Sequence, residues 1–247
     1  MPVKDVFSFS NQQGIFLVSG GWDGIVKFFK IDRGMTQQIG ETNVFKPVHY
    51  LSGSYPLLVT AHSEKFINIW NLDQINMSFN PVTVRESPLK FATTSISCFA
   101  DGKGYAIGSI EGRCGIVNIN LRDPDQENAQ TDFCFKCHRE DDTNNLTSQV
   151  NGVNQISFNK KHNTFATVGS DGKYVIWNKD TRARYKSNKQ GANLPMTNCA
   201  FSEDAQVFAF AVGEDWSKGA PVAQQRQNQV MLILRKCDRQ DVFKDSK

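Results

Sequence analysis

The sequence has no long apolar run, no dense cysteine framework and no large excess of either charge. No stretch approaches the ~20 apolar residues of a membrane-spanning helix, and the N-terminal residues 1–5 lack the apolar core of a secretory signal. Six cysteines are scattered over predicted strands, which favours reduced thiols in an intracellular protein. The formal net charge of +3 permits a nucleic-acid partner without requiring one.

Catalytic motifs are missing as well. None of the histidines stands in a GxSxG or HExxH context, and they lie in separate parts of the chain: His49, His62, His138 and His162. The adjacent carboxylates Asp141 and Asp142 lie in a polar insertion and look like solvated loop charges. We therefore expect no catalytic residue and no cofactor, and a propeller hydrolase or lyase is the disfavoured alternative.

One cysteine pair has the spacing of half a zinc site. Cys134 and Cys137 precede His138, but no second pair of this kind follows. Alternation along a strand also sends the two thiols to opposite faces. We therefore expect no metal site.

An internal repeat is the strongest signal in the chain. Each copy has an apolar strand, a tight turn with an acidic residue or glycine, and a second strand with a large apolar residue five positions after the turn. The four clear copies are residues 17–29, 58–70, 105–117 and 165–177. Asp-Gly or Glu-Gly at such a turn favours a hairpin, because glycine tolerates positive φ. A fifth copy starts at Met196, and a longer loop, about 213–228, replaces its hairpin turn.

This repeat predicts an all-β protein, a WD40 β-propeller with five recognisable blades in one domain, 1–247. The blades are expected at about 1–40, 41–80, 91–122, 150–185 and 195–236. Phe29 and Trp70 are 41 residues apart, within the ~40–45 typical of a WD unit. Trp70 and Trp177 stand at the position of the WD tryptophan, and we expect them to pack between blades. A sandwich or a set of separate hairpins is the alternative.

Strand order predicts one rim that gathers cations and aromatic rings. In an antiparallel blade, the turns between second and third strands and the links between blades share a rim. The expected members are Trp22, Lys65, Arg113, Lys173, the segment Phe135–Arg139 and the loop 213–228. Guanidinium groups with exposed rings suit an acidic peptide or single-stranded nucleic acid. Ordinary solvated charges are the alternative for any one residue.

Five short motifs add a family resemblance. They are RESPLK at 85–90, GSIEGR at 108–113, FKCHR at 135–139, FATVGSDG at 165–172 and DWSKG at 215–219. Together they resemble the Rae1/Gle2 family of messenger-RNA export factors, nuclear-pore WD-repeat propellers, and the resemblance covers nearly the whole chain. The mitotic checkpoint protein Bub3 is a close relative of that family. DWSKG, with Trp216, resembles the export factors and not the checkpoint protein.

The resemblance implies a non-enzymatic scaffold in the nucleus, at the nuclear envelope and pore, with a possible cytoplasmic pool. It implies that one face grips an acidic helical segment of a nucleoporin, and that a neighbouring surface takes single-stranded RNA. The implied partner-binding residues are Arg113, Phe135, Lys136, Trp216 and Lys218, and the further rim contacts expected from strand order are Trp22, Lys65, Arg139 and Lys173. A Bub3-like checkpoint adaptor that binds kinase-type partners is the alternative.

The number of blades departs from the family pattern. Relatives have seven blades, and only five are recognisable here. A propeller that stops short exposes apolar blade faces and unpaired strand edges. We therefore expect that N-terminal blades are missing from this sequence; the alternatives are that the five units close a smaller ring or that another chain completes it.

Overall fold

The computed structural model describes residues 1–125, 131–141, 147–189, 194–225 and 229–238. Within these ranges the chain forms 21 strands and one six-residue helix. No helix in these ranges has both the length and the apolarity to cross a bilayer. Contacts divide the chain into two compact units: residues 1–106 with 117–133, and residues 107–116 with 134–247.

Two four-stranded antiparallel meanders form most of the first unit. The strands of the first sheet are β1 (Val3–Asn11), β2 (Gly14–Gly21), β3 (Ile25–Asp32) and β4 (Met35–Asn43). The strands of the second are β5 (Val48–Ser54), β6 (Leu57–His62), β7 (Phe66–Asn71) and β8 (Thr83–Glu86).

The third sheet has the same order, and the boundaries between the two units fall within its strands. Its strands are β9 (Thr93–Cys98), β10 (Gly104–Ser109), β11 (Arg113–Asn118) and β12 (Phe133–Lys136). A two-stranded hairpin follows, made of β13 (Arg139–Asp141) and β14 (Ser148–Val150). Asp142, the second of the adjacent carboxylates, lies outside the described residues.

The remaining sheets belong to the second unit. The fourth has the strands β15 (Val153–Phe158), β16 (Thr164–Gly169), β17 (Lys173–Asn178) and β18 (Arg184–Lys189). The fifth has β19 (Met196–Phe201), β20 (Val207–Val212) and β21 (Met231–Lys236). The helix α1 (Ala220–Gln225) lies between β20 and β21, where the sequence predicted only a loop. Of that loop, residues 226–228 lie outside the described ranges.

Burial along the strands explains why these segments form sheets. Every residue of β6, β10 and β16, the second strands of their sheets, is buried. Strands covered on both faces read as continuous apolar runs, and these are the apolar strands that open three of the repeats. The last strands, β4 and β18, are mostly exposed or half-buried and correspondingly polar.

Each unit has its own hydrophobic core. In the first unit, Phe16, Phe28, Leu58 and Trp70 are among the buried residues of one cluster. Trp70 is 2% exposed, and its indole N–H donates to the carbonyl of Phe79 at 3.0 Å, so its predicted packing role is confirmed. In the second unit, a cluster joins the fourth and fifth sheets, with Val168, Tyr174, Ile176, Phe208 and Phe210 among its members. Burial of each such side chain contributes about 1.5–3 kcal/mol.

The cysteines are all free thiols. Burial raises the pKa of Cys98 and of Cys137 to about 12, so neither is a ready nucleophile at neutral pH. Cys134 is exposed whereas Cys137 is buried, as strand alternation predicts. No group of three or more potential metal ligands occurs among the described residues.

Candidate functional site

A buried hydrogen-bond network organises the fourth sheet. Trp177 donates its indole N–H to the hydroxyl of Thr167 at 3.0 Å, and Thr167 lies 2.9 Å from Nε2 of His138. Nδ1 of His138 is 2.8 Å from Oδ1 of Asp171. The Asp171 carboxylate can only accept, so His138 carries a proton on Nδ1. In the neutral imidazole, Nε2 then accepts a hydrogen bond from the Thr167 hydroxyl, whose oxygen accepts the indole N–H. The network therefore holds the link that carries His138, which precedes the fourth sheet, against the turn Ser170–Gly172.

The turn before β11 places Arg113. Gly112 has φ +60°, and a Cβ there would lie 2.6 Å from the carbonyl oxygen of Cys137 and 2.8 Å from that of Asn151. Only glycine allows this close approach. The Cys137 amide donates to the Gly112 carbonyl at 2.9 Å. The turn and the link that follows β12 are therefore held together.

Arg113 is about a third exposed at the start of β11. Its Nε lies 3.4 Å from Oε2 of Glu111, whose side chain is 15% exposed. A single contact at this distance leaves most of the five guanidinium N–H groups available for a carboxylate. Ile110, at the tip of the same turn, is 52% exposed, and the sequence analysis did not single it out.

Arg139 supports this turn, a role that the sequence analysis did not predict when it placed the residue among the rim cations. Its Nη2 donates to the carbonyl of Glu111 at 2.7 Å and its Nε to that of Gly112 at 3.3 Å. The guanidinium therefore positions the turn that carries Arg113.

Phe135 is half-buried, whereas the sequence analysis placed it among exposed rings. Its ring centroid lies 4.6 Å from that of Trp177 and 6.5 Å from that of Phe165. It comes from β12, so alternation along this outer strand turns it toward the fourth sheet. Lys136, the next residue, is exposed.

A groove of about 260 Å³ lies between the end of β12 and the strands β17 and β18. We call it the cationic groove, since its lining includes Lys136, Arg139, Lys173 and Arg184, together with Trp177 and Asp171. Nζ of Lys173 lies 2.6 Å from Oε1 of Glu140, and this hydrogen-bonded ammonium lowers the pKa of the Glu140 carboxyl. Arg184 is a further cation that the sequence analysis missed, because it lies in an outer strand and not in a turn.

The loop after β20 places Trp216. Asp215 accepts hydrogen bonds from Asn154 at 2.9 Å, from Ser170, and from the Ser217 amide at 3.0 Å. Burial raises the pKa of Asp215, but the hydrogen bonds outweigh it and hold the pKa below the ordinary 3.8. Trp216, 63% exposed, is held at φ +63°. Lys218 lies in the same turn and is exposed; the Gly219 amide donates to the Trp216 carbonyl at 3.0 Å.

These turns form one contiguous edge, which we call the second-unit rim: residues 110–113, 137–139, 151–154, 170–173 and 213–219. A Cβ on Gly152 would lie 3.6 Å from Cα of Ile110 and 3.7 Å from Oγ of Ser170. Ser170 in turn hydrogen-bonds Asp215. A continuous series of contacts thus joins the turn of Arg113 to that of Trp216. Strand order predicted that these turns lie together, but Phe135 and Lys136, which it placed with them, lie on β12.

Two expected rim residues belong to the first unit. Trp22 is 50% exposed in the turn between β2 and β3. Lys65 is half-buried in a turn with φ +68°, and Phe66, not Lys65, begins β7 at the place that Arg113 and Lys173 take in β11 and β17. The turn in the second sheet holds Lys65 where the first, third and fourth sheets hold glycine. Without that glycine, the sequence analysis placed the start of the third strand one residue too early.

Comparisons with known proteins agree with this architecture. The WD domain, G-beta repeat family matches residues 141–178, which include Thr167, Asp171 and Trp177 of the buried network. Two Sqt1 structures from Chaetomium thermophilum, one of them bound to the N-terminus of ribosomal protein L10, align with TM-scores of 0.65 and 0.67 at 13% and 12% identity. They cover 85% of this chain and 57% and 54% of theirs. The predicted WD40 propeller fold class is confirmed.

Sequence relatives carry export-factor names. The Poly(A)+ RNA export protein of Schizosaccharomyces pombe is 37% identical over 87% of this chain and 58% of its own length. The mRNA export factor GLE2 of Chaetomium thermophilum is 36% identical over 88% and 58%. Protein Rae1 of Drosophila melanogaster is 34% identical over 88% and 61%. The chain thus spans about three fifths of the length of these relatives, and none of these names is that of an enzyme.

Proposed function

We propose that this chain, a WD-repeat homologue of the Rae1/Gle2 mRNA export factors, is a non-enzymatic adaptor in mRNA export at the nuclear pore. Its second-unit rim would hold an acidic helical segment of a nucleoporin, and the cationic groove would hold single-stranded RNA. The export-factor names of the relatives support the process. The geometry of the rim supports the kind of ligand.

The exposure and strain of Trp216 carry this proposal. A bulky residue at positive φ is an outlier in proteins, and such strain persists only where surrounding contacts impose it. Here Asp215 imposes it through its hydrogen bonds to Ser170, Asn154 and the Ser217 amide. The chain thereby holds a large apolar ring in solvent, which is the form of an anchor for a partner.

The charges beside this ring favour an acidic partner. Lys218 lies two residues from Trp216, and Arg113 lies along the same rim. Among the described residues, Arg113 meets one carboxylate oxygen, at 3.4 Å, so a partner carboxylate can form the shorter two-point contact that guanidinium prefers.

The cationic groove combines the two features that single-stranded RNA requires. Cations follow the phosphates, and rings stack on bases. Lys136 and Arg184 supply charge at the lining, while Trp177 is part of the lining and the half-buried ring of Phe135 packs on it. This groove is the surface we assign to RNA.

Affinity capture from nuclear extract tests the protein partner. The tagged wild-type chain should retain nucleoporins, and Arg113→Glu should lose them, because the new carboxylate repels an acidic segment and stands beside Glu111. Lys161→Glu makes the same change of charge in the exposed turn between β15 and β16, and it should retain them.

Equal recovery with both variants would contradict the assignment of Arg113. Recovery of kinetochore proteins without nucleoporins would favour a checkpoint adaptor. Both variants should keep the wild-type circular dichroism melt, since position 113 is at the surface.

A further inference from the structure

A second groove, of about 430 Å³, lies in the first unit between the end of β4 and the strands β7 and β8. We call it the apolar groove, since its lining includes Val44, Phe45, Phe66, Pro81 and Val84. It occupies the same place between successive sheets as the cationic groove does in the second unit. Its chemistry differs.

The difference follows from equivalent positions in the repeat. Phe66 and Lys173 are each the first residue of a third strand, β7 and β17. The apolar groove thus has a ring where the cationic groove has an ammonium group. Two residues later, Asn68 lines the apolar groove and Val175 the cationic one, so the apolar groove keeps one polar, uncharged side chain.

Phe45 is presented to solvent in a strained conformation. It is 83% exposed and has φ +61°, and Oδ1 of Asn43 accepts its amide at 2.8 Å. Phe66 is 41% exposed on the facing strand. Two partly or largely exposed phenylalanine rings therefore line the groove.

The groove wall contains an amide that a ligand can reach. Asn68 is 5% exposed, and within the described part of the chain its side chain makes no hydrogen bond, yet its amide atoms are not among the fully buried, unpaired ones. The small exposed part of this residue therefore offers polar atoms to the groove. Its one acceptor and one donor match the N–H and C=O of a peptide group.

The ammonium group of the lining already has a counter-charge. Nζ of Lys46 lies 2.7 Å from Oε2 of Glu64, which is outside the lining. His62 bonds to Thr60 at 2.6 Å and to the Lys46 carbonyl at 3.2 Å, and burial lowers its pKa. An ionised ligand side chain would lose hydration here without gaining a counter-charge.

We propose that the apolar groove docks an extended peptide segment of a partner protein, with an uncharged apolar side chain between Phe45 and Phe66 and the adjoining peptide group hydrogen-bonded to the Asn68 amide. This site is separate from the one proposed above, so it can fail while the Arg113 assignment holds.

The smallest probes of this chemistry are N-acetyl-L-leucinamide and N-acetyl-L-phenylalaninamide, each one apolar side chain with two peptide groups. Ligands of this size reach dissociation constants on the order of 1 mM. Titrated into the ¹⁵N,¹³C-labelled chain, either should shift the side-chain amide resonances of Asn68 and the methyl resonances of Val44 and Val84. N-acetyl-L-glutamic acid α-amide should not.

Three variants distinguish docking at the groove from nonspecific binding. Phe66→Lys installs the charge found at Lys173 and should weaken binding at least about tenfold, since the lost apolar contact is worth that factor. Phe91→Lys, at a 52% exposed phenylalanine outside the lining, should leave it unchanged. Asn68→Leu keeps the volume and should also weaken binding, which a purely hydrophobic pocket would not show.

Three results would overturn the proposal: no shift at these resonances with about 10 mM of either apolar amide, equal shifts with the glutamate compound, or unchanged binding by both Phe66→Lys and Asn68→Leu. Thermal melts check that each variant is folded.

Discussion

Removing two cations from the cationic groove should weaken single-stranded RNA binding and flatten its salt dependence. Four cations line the groove: Lys136, Arg139, Lys173 and Arg184. Two carboxylates offset them, since Asp171 is in the lining and Glu140 pairs with Lys173. About two charges therefore remain for phosphates, and each phosphate neutralised on a single strand contributes about −0.7 to the slope of log K against log salt.

The groove thus accounts for about −1.4 of that slope, which amounts to about 25-fold in affinity at about 0.1 M salt relative to about 1 M. In the double variant Lys136→Gln, Arg184→Gln, the slope should therefore be about 1.4 shallower and the affinity at about 0.1 M salt about 25-fold lower. Fluorescence anisotropy with a labelled oligouridylate over a salt series measures both quantities. The matched control is Lys160→Gln with Lys161→Gln, in the turn between β15 and β16 and outside the lining of the groove. The reasoning is refuted by wild-type slope and affinity in the groove variant, or by an equal loss in the control.

Three further predictions concern stability. His138→Ala leaves the Asp171 carboxylate buried without its histidine and should lower the free energy of unfolding in urea by about 3 kcal/mol or more; a loss below about 1 kcal/mol contradicts the network. Gly112→Ala should destabilise by more than the ~1 kcal/mol of a strained glycine alone, and more than Gly34→Ala, whose added Cβ at φ +79° meets nothing within 4 Å. Because the pKa of Asp215 is lowered in the folded state, its ionised form stabilises the fold above the ordinary 3.8, and this contribution is lost as the pH falls below that value. Asp215→Asn should therefore be less stable than wild type at pH 7, with a gap that narrows in acid; a gap constant with pH contradicts this.

Local sequence rules predicted the repeat and its rim, because both depend on chain order. Glu-Gly at 111–112 and Asp-Gly at 171–172 specify hairpin turns through the positive φ of glycine. Antiparallel alternation then places Arg113, Lys173 and the loop of Trp216 at one edge. This prediction of which turns share an edge required only the order of the strands.

The roles of individual side chains were harder to predict from the sequence, since they depend on neighbours from other repeats. From the sequence, Arg139 is an exposed cation; in the structure, its Nε and Nη2 donate to two carbonyls of the preceding turn. Phe135 reads as an exposed ring, but Trp177 lies against it. Asn68 and Phe66 gave no signal at all, because a groove between sheets combines residues far apart in sequence.

Cross-linking from position 216 tests the central claim most directly. A photoreactive p-benzoylphenylalanine replaces Trp216, and in a second sample it replaces Met35, which is 74% exposed in the first unit. After irradiation in nuclear extract, we expect position 216 to give adducts with a nucleoporin that position 35 does not give. Adducts that are the same at both positions, or none from position 216, would contradict the role of this rim in holding a partner.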